Sequence, residues 1–345
     1  MEEGLNSAPD HFGAFLAKLV ISTLLFLGIF LIWRASDIFL IVFAGILLAI
    51  FLQTFSTLIS KSARIPYPLA LVFLIAFLVV FFISLFRLFA PTLATQAAIL
   101  AEEMPRAFNF LQVLIDRYIP FSKEAVQAVF ANFNVLQQVT NIFSTTMGAI
   151  TSIILFLFVG IYLAFDYRIY IAGFLRLFPI GKRATAERVL MACGDTLRLW
   201  LVGQILAMIV LGVATVIGLY LLEIPLAFIL GLLAGLLTFL PTLGPILSAI
   251  PAVLIALIQG PLQLTYVILL YIALQLLESY FITPFIQKQT TALPPALVIV
   301  VQILLGVLVG ILGLALAAPI TAVFIVLVDQ IYVKEILEKK TQPSP

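Results

Sequence analysis

The stretch Leu236–Pro251, LLTFLPTLGPILSAIP, places Pro241, Gly244 and Pro245 inside an apolar run where an uninterrupted helix would otherwise form. Proline removes an intrahelical hydrogen bond and glycine tolerates irregular backbone, so the stretch reads as a broken helix or re-entrant hairpin. Its surroundings give the break its weight. The chain is 345 residues long, 64% hydrophobic and 10% charged, with a mean hydropathy of +1.25, whereas a soluble domain is roughly 25% charged. This is the composition of an integral membrane protein. In lipid, unpaired backbone groups persist only when buried in protein or lining a wet cavity, which is where transporters place their solute path.

Outward from the break, apolar stretches long enough to cross a membrane run from about Phe15 to Trp33, Ile38 to Ile59, Leu69 to Phe89 and Met147 to Phe165. Trp200 to Leu222, the broken run Pro225 to Gln259, Leu262 to Ile282 and the long run Leu293 to Val328 follow. The last is too long for one crossing and short for two, which predicts a second discontinuous element. Along it lie Gly306, Gly310, Gly313 and Pro319. Small residues four apart, Gly306/Gly310 and Gly231/Gly235, allow close helix packing. The fold class is therefore all-α and polytopic, with about eight membrane segments.

The expected organisation is an N-terminal tail (1–14), three transmembrane helices (15–90), an external amphipathic helical region (91–146), a transmembrane helix (147–165), a basic helical region (166–199), a transport core with broken helices (200–329) and a tail (330–345). In the external region, which Pro105 and Pro120 are expected to break, Phe108, Leu111, Ile115 and Tyr118, then Val126, Val129, Phe133 and Leu136, recur at helical spacing. The region reads either as a helical cap or as a membrane-surface or gating element. Arg168, Arg176, Lys182, Arg183, Arg188 and Arg198 outnumber Asp166, Glu187 and Asp195 in the basic region. The positive-inside rule places it in the cytoplasm with the Lys61/Arg64 loop, both termini and Lys334, Lys339 and Lys340, and the external region outside. The acidic N-terminus, MEEGLNSAPDHF, predicts no removable signal peptide.

Several function classes are disfavoured. His11 is the only histidine and Cys193 the only cysteine, so zinc sites, Ser/His pairs and thiolate clusters lack their residues. No metal or cofactor is expected. No GxxxxGK[ST] loop is present, and Asp166 and Asp195 both fall in the basic region, which argues against a paired-aspartate intramembrane protease. The net charge of +2 gives no footprint for nucleic acid.

Glu278, in LLYIALQLLESYFITPFIQ, is the sharpest candidate for chemistry, because a carboxylate in hydrocarbon costs about 2.5–3.5 kcal/mol on insertion scales and usually faces a cavity or a partner. Its alternatives are an ion or solute ligand and a headgroup-level Glu. Tyr280 and Pro284, just beyond it, join the candidate path. Thr238, Pro241, Thr242, Gly244 and Pro245 at the break, with Gln204 in LWLVGQILAM, supply hydrogen-bonding groups at depth that suit a neutral polar solute or knit helices together. Asp166 and Arg168 are gate candidates or a helix-end charge cluster. Glu223, Lys18 and Arg87 lie near span ends, where snorkelling accounts for them.

From Asp166 onward DYRIYIAGFLRLFP, LRLWLVGQILAMIVLGVATVIGL, IPLAFILGLLAGLLTFLPTLGPILSAIPAVLIAL, ESYFITPFIQKQ and GVLVGILGLALAAPITAV together resemble the autoinducer-2 exporter family, the PerM-like permeases. The resemblance implies a bacterial inner-membrane exporter of small solutes, a homo-oligomer, and a pentamer in particular. It also implies either a furanone-type signalling molecule or monovalent cation/proton exchange as the cargo. The family's matching Glu favours a functional Glu278. Two departures stand out: Glu223 where a small residue is usual, and Pro294 where a histidine is frequent, so a proton relay through that histidine is not open to this chain. A non-transporting membrane scaffold is the rival reading from another class.

Overall fold

The computed structural model describes Leu19, residues 36–118, residues 146–282, Pro284 and residues 294–338. The expected first span, the second half of the amphipathic stripe (Val126 to Leu136), Lys123, Lys288 and the terminal tails lie outside the described residues. Within them the chain is helical and no strand occurs. The helices are α1 (Ser36–Ala63), α2 (Tyr67–Tyr118), α3 (Thr146–Arg176), α4 (Arg183–Leu221), α5 (Ala227–Leu237), α6 (Leu243–Gln259), α7 (Pro261–Leu277), α8 (Pro295–Val309) and α9 (Ile311–Leu327). A π-helical turn, Glu278–Ile282, continues α7, and a longer one, Val328–Glu338, continues α9. Among the described residues six helices are long and apolar enough to cross a membrane, and α5, α6 and α8 are shorter apolar helices.

Two sequence expectations are corrected. The helix of the third span does not end near Phe89, and Pro105 does not break the region that follows: α2 runs through both Pro91 and Pro105 for 52 residues, about 78 Å at ~1.5 Å per residue and more than twice the hydrocarbon thickness. A proline inside a membrane helix forfeits one backbone bond, and neighbouring helices supply what holds the helix together. Here Met104 and Ala107 are buried against Leu254 of α6, with Leu100, Leu111 and Ile250 around them. The polar region 166–199 joins two long helices. It is the end of α3, a 3-10 turn (Ile180–Lys182) and the start of the 39-residue α4.

Packing follows the glycines. A Cβ on Gly212 of α4 would lie 3.1 Å from Gly235 Cα of α5, and one on Gly235 2.9 Å from the Met208 carbonyl, so these two backbones touch. Gly231 faces Val216 in the same seam, as the small-residue spacing predicts. Gly45 of α1 and Gly160 of α3 form a second such seam against Val159 and Leu48. In the α8/α9 hairpin Gly310, at φ +76, is the hinge, Gly313 abuts the Leu305 backbone and Gly306 abuts Leu314. Pro319 is buried within α9. The long run is thus two helices folded on each other, the second discontinuous element. Outward-facing Phe73, Phe77, Phe82 and Phe86 of α2 are each more than 60% exposed, an apolar surface suited to lipid and not to water.

Candidate functional site

The stretch quoted at the outset folds as α5, an irregular turn over 238–242, and α6. Among the described residues four non-glycine residues have positive φ: Thr242 lies in this turn, Glu223 and Leu226 lie in the link from α4 to α5, and Arg64 lies elsewhere. Thr242, at φ 72 and ψ −50, is the centre of a γ-turn of the rare positive-φ kind: the Leu243 N–H donates to the Pro241 carbonyl at 2.8 Å. A β-branched residue in that region is strained, at a cost of about 1–3 kcal/mol, and persists only when its surroundings over-determine it.

The surroundings do so with two amides. Gln204 of α4, 7% exposed, donates its Nε2–H to the Thr238 carbonyl. Gln302 of α8, fully buried, donates its Nε2–H to the Pro241 carbonyl at 3.1 Å. The turn is thereby clamped from two helices, by α4 at Thr238 and by α8 at Pro241. A third fixture sits at the other end of α5. Leu226 provides no side-chain cap there, and Gln96 Oε1 of α2 accepts the Ile229 N–H at 2.9 Å, satisfying one of the orphan donors of the first turn.

Against the turn lies a narrow cleft of about 20 Å³, walled by Leu211, Thr215, Ala234, Thr238, Pro245, Ser248, Tyr271, Leu274, Gln275 and Glu278. Its hydroxyls share one disposition. Thr215 Oγ1 donates to the Leu211 carbonyl and Thr238 Oγ1 to the Ala234 carbonyl, each at 2.7 Å, and Ser248 Oγ donates to the Pro245 carbonyl at 2.9 Å. With their protons committed to their own helices, all three keep only lone pairs for a guest. Tyr271 Oη donates to the Ser248 carbonyl at 3.2 Å and fixes α7 against α6. Glu278, partly buried at the start of the π-helical turn, has its carboxylate within 3.4 Å of Gln275 Nε2 and forms no ion pair among the described residues. The cleft is therefore rich in acceptors, with a carboxylate at its rim.

Of the residues singled out from sequence, the structure brings Thr238, Pro245 and Glu278 together in this cleft. Gln204 stands behind it as a clamp, as do Pro241, through its carbonyl, and Gly244, where a Cβ would run into the Leu237 carbonyl. Thr242 is exposed on the turn, and Tyr280 points away at 71% exposure. Pro284 is partly buried and does not line the cleft. Asp166 sits at a kink in α3 (φ −122, ψ 35) and is exposed, and Arg168 Nε donates to Tyr167 Oη at 3.3 Å; the two form no ion pair with each other. The carbonyls just before that kink are taken from outside α3, Leu163 by Gln53 Nε2 and Ala164 by Tyr67 Oη. Sequence reasoning missed Gln302, Ser248, Thr215 and Tyr271. Gln302 carries the same signal as Gln204, a lone amide in an apolar helix, and Ser248 follows Pro245 by one turn.

The chain is similar to known proteins. YueF of Bacillus subtilis (strain 168), described as a candidate transport protein, is 25% identical over 239 residues, 68% of this chain and 64% of its own length. YrrI of the same organism, described likewise, is 26% identical over 147 residues, 43% of this chain and 42% of its own length. The matched segment thus spans less than two thirds of either relative. The AI-2E family transporter profile matches residues 20–333, nearly the whole chain. The chain belongs to the AI-2E family of transporters.

Proposed function

We propose that the protein exports a small, neutral, hydroxyl-bearing solute across the bacterial inner membrane, and that the cleft walled by α4, α5, α6 and α7, which at about 20 Å³ has room for about one water, widens to become its binding station. The observation that carries this reading is the acceptor-rich lining at a clamped helix break: Thr215, Thr238 and Ser248 have spent their donors internally, so the favoured guest brings donors of its own. A polyhydroxylated molecule like autoinducer-2 is such a guest. The broken hairpin supports a path there, since irregular backbone at membrane depth lines cavities. With the charge asymmetry read from the sequence, the Lys61/Arg64 turn, the 166–199 region and both termini face the cytoplasm, and the family resemblance supports a homo-oligomer, a pentamer in this reading.

One observation favours a second reading. A carboxylate among hydroxyl oxygens is also a donor set for a hard monovalent cation, which would make the protein a cation/proton exchanger centred on Glu278. Flux in proteoliposomes separates the two. An exporter moves labelled polyol-type solutes without an imposed ion gradient as obligatory driver, whereas an exchanger responds to sodium or proton gradients. Glu278→Gln is expected to leave insertion and folding intact and to reduce flux or flatten its pH profile. Flux identical to the parent protein across pH 5.5 to 8.5 would remove Glu278 from the path.

A further inference from the structure

The molecule contains a larger void, a cavity of about 640 Å³ between α1, α3 and α4, closed at one side by Val323 of α9. It lies toward the basic end of the bundle, beside Thr57 of α1, Phe174 of α3 and Leu190 of α4. The size falls within the roughly 300–1,000 Å³ of small-molecule sites, which are mainly apolar with a few convergent polar groups. Those groups here are Gln53, Thr54, Thr57, Tyr167, Asp195 and Arg198. Thr54 Oγ1 donates to the Ile50 carbonyl at 2.7 Å and Thr57 Oγ1 to the Gln53 carbonyl at 2.6 Å. As in the cleft, the hydroxyl protons are committed and the oxygens remain as acceptors. Asp195 and Arg198, one helical turn apart, balance each other in charge.

The cavity and the cleft open on the same face of α4. Cys193 and Leu197 line the first, Leu211 and Thr215 the second, and all belong to the buried stripe of that helix. Leu197 and Leu211 are about 21 Å apart along its axis, at ~1.5 Å per residue. The stripe between them carries Trp200, Gln204 and Ala207. The Trp200 indole meets the ring of Phe239 edge-on, centroids 5.8 Å apart. Phe239 is part of the very turn that Gln204 and Gln302 clamp.

We propose that this cavity is a second solute site, a vestibule that holds a neutral hydroxyl-bearing molecule on the basic side of the Trp200–Phe239 contact. The proposal rests on the cleft being the transport site, and adds that the same chemistry recurs one aromatic barrier away. A molecule seated in the vestibule reaches the cleft when the turn carrying Phe239 swings off Trp200.

Cys193, the only cysteine and a wall of the cavity, is a native reporter. The full-length protein in lipid nanodiscs is treated with three methanethiosulfonates, one neutral and hydroxyethyl-bearing, one cationic with a trimethylammonium group and one anionic with a sulfonate. The neutral reagent is expected to modify Cys193 about tenfold or more faster than either charged one, since charge is penalised on entering an apolar-walled site. Gly194 also lines the cavity, and a Cβ there meets open space. Gly194→Phe therefore fills the void without displacing backbone, and it should slow the neutral reagent about tenfold while Gly194→Ala leaves the rate close to parental. The same filled variant should lose solute flux in proteoliposomes. A Cys193 inert to all three reagents, equal rates for neutral and charged reagents, or an unchanged rate in Gly194→Phe each overturn the vestibule. Because thiol chemistry needs no transport, it fails or stands independently of the cleft, whose own test is flux in Glu278→Gln.

Discussion

Replacing the two clamping glutamines by leucine separates what they contribute. Gln302 donates to a Pro241 carbonyl that already accepts the Leu243 N–H, while its own Oε1 is buried without a partner. Gln302→Leu removes one side-chain bond, which in a bilayer averages about 0.6 kcal/mol. It also removes a buried unsatisfied acceptor whose burial costs about 1–3 kcal/mol. The two nearly cancel, or favour the variant. Gln204 differs. The Thr238 carbonyl ends α5 where the helix no longer supplies a donor, so Gln204→Leu orphans a buried carbonyl and costs about 1–3 kcal/mol. At about 2 °C per kcal/mol for a chain of this size, the Gln204 variant should melt about 2–6 °C below the parent, and Gln302→Leu within about 1 °C of it or above. Intrinsic fluorescence of Trp33 and Trp200 during heating of the purified protein gives the readout. Both variants should lose flux, because each frees one side of the turn. Equal destabilisation of the two, or normal flux in Gln302→Leu, would refute the two-sided clamp.

Gly244→Ala alone should abolish flux with the protein still purifying intact, because its Cβ meets the Leu237 backbone and must displace the turn; Pro241→Ala/Gly244→Ala/Pro245→Ala should do the same, and transport at the parental rate would reduce the break to a packing kink. Gly235→Leu should destabilise by about 2 kcal/mol or more through the α4/α5 seam, read as a lowered melting temperature, whereas Gly173→Leu, where a Cβ meets nothing, should not. Single cysteines at Lys61, Arg64, Lys182, Arg183 and Lys340 in a Cys193→Ser background should resist an impermeant thiol reagent in intact cells, and those at Glu102 and Lys123 should react; labelling at Lys182 from outside would invert the topology.

The helix break was legible because proline and glycine act locally: Pro241, Gly244 and Pro245 disrupt any helix whatever packs around them. The hinge at Gly310 was legible for the same reason, joined to a length argument. Pro91 and Pro105 misled because there the local penalty was overridden by long-range contacts, Met104 and Ala107 against Leu254, that no sequence period announces. Glu278 and Thr238 were found through the expense of polar groups in an apolar setting. Gln302 was within reach as a lone amide in an apolar helix, but its role was not, because its partner, the Pro241 carbonyl, is 61 residues away and belongs to the backbone. The cavity walled by α1, α3 and α4 was beyond reach for a related reason. A void is made by the mutual placement of three helices, and each of its walls reads as an ordinary amphipathic or apolar segment.

The length of α2 has a mechanical consequence. One continuous helix touches both arms of the broken hairpin, α5 through Gln96 and Ile229, and α6 through Met104, Ala107 and Leu254. Its far end at Tyr118 continues about 21 Å beyond Met104, at ~1.5 Å per residue. Any tilt of the hairpin is carried along this strut and enlarged at its tip, and a load applied to the tip is carried back. An antibody fragment that grips the Tyr118 end of α2 would then restrain the hairpin from a distance, without touching the cleft.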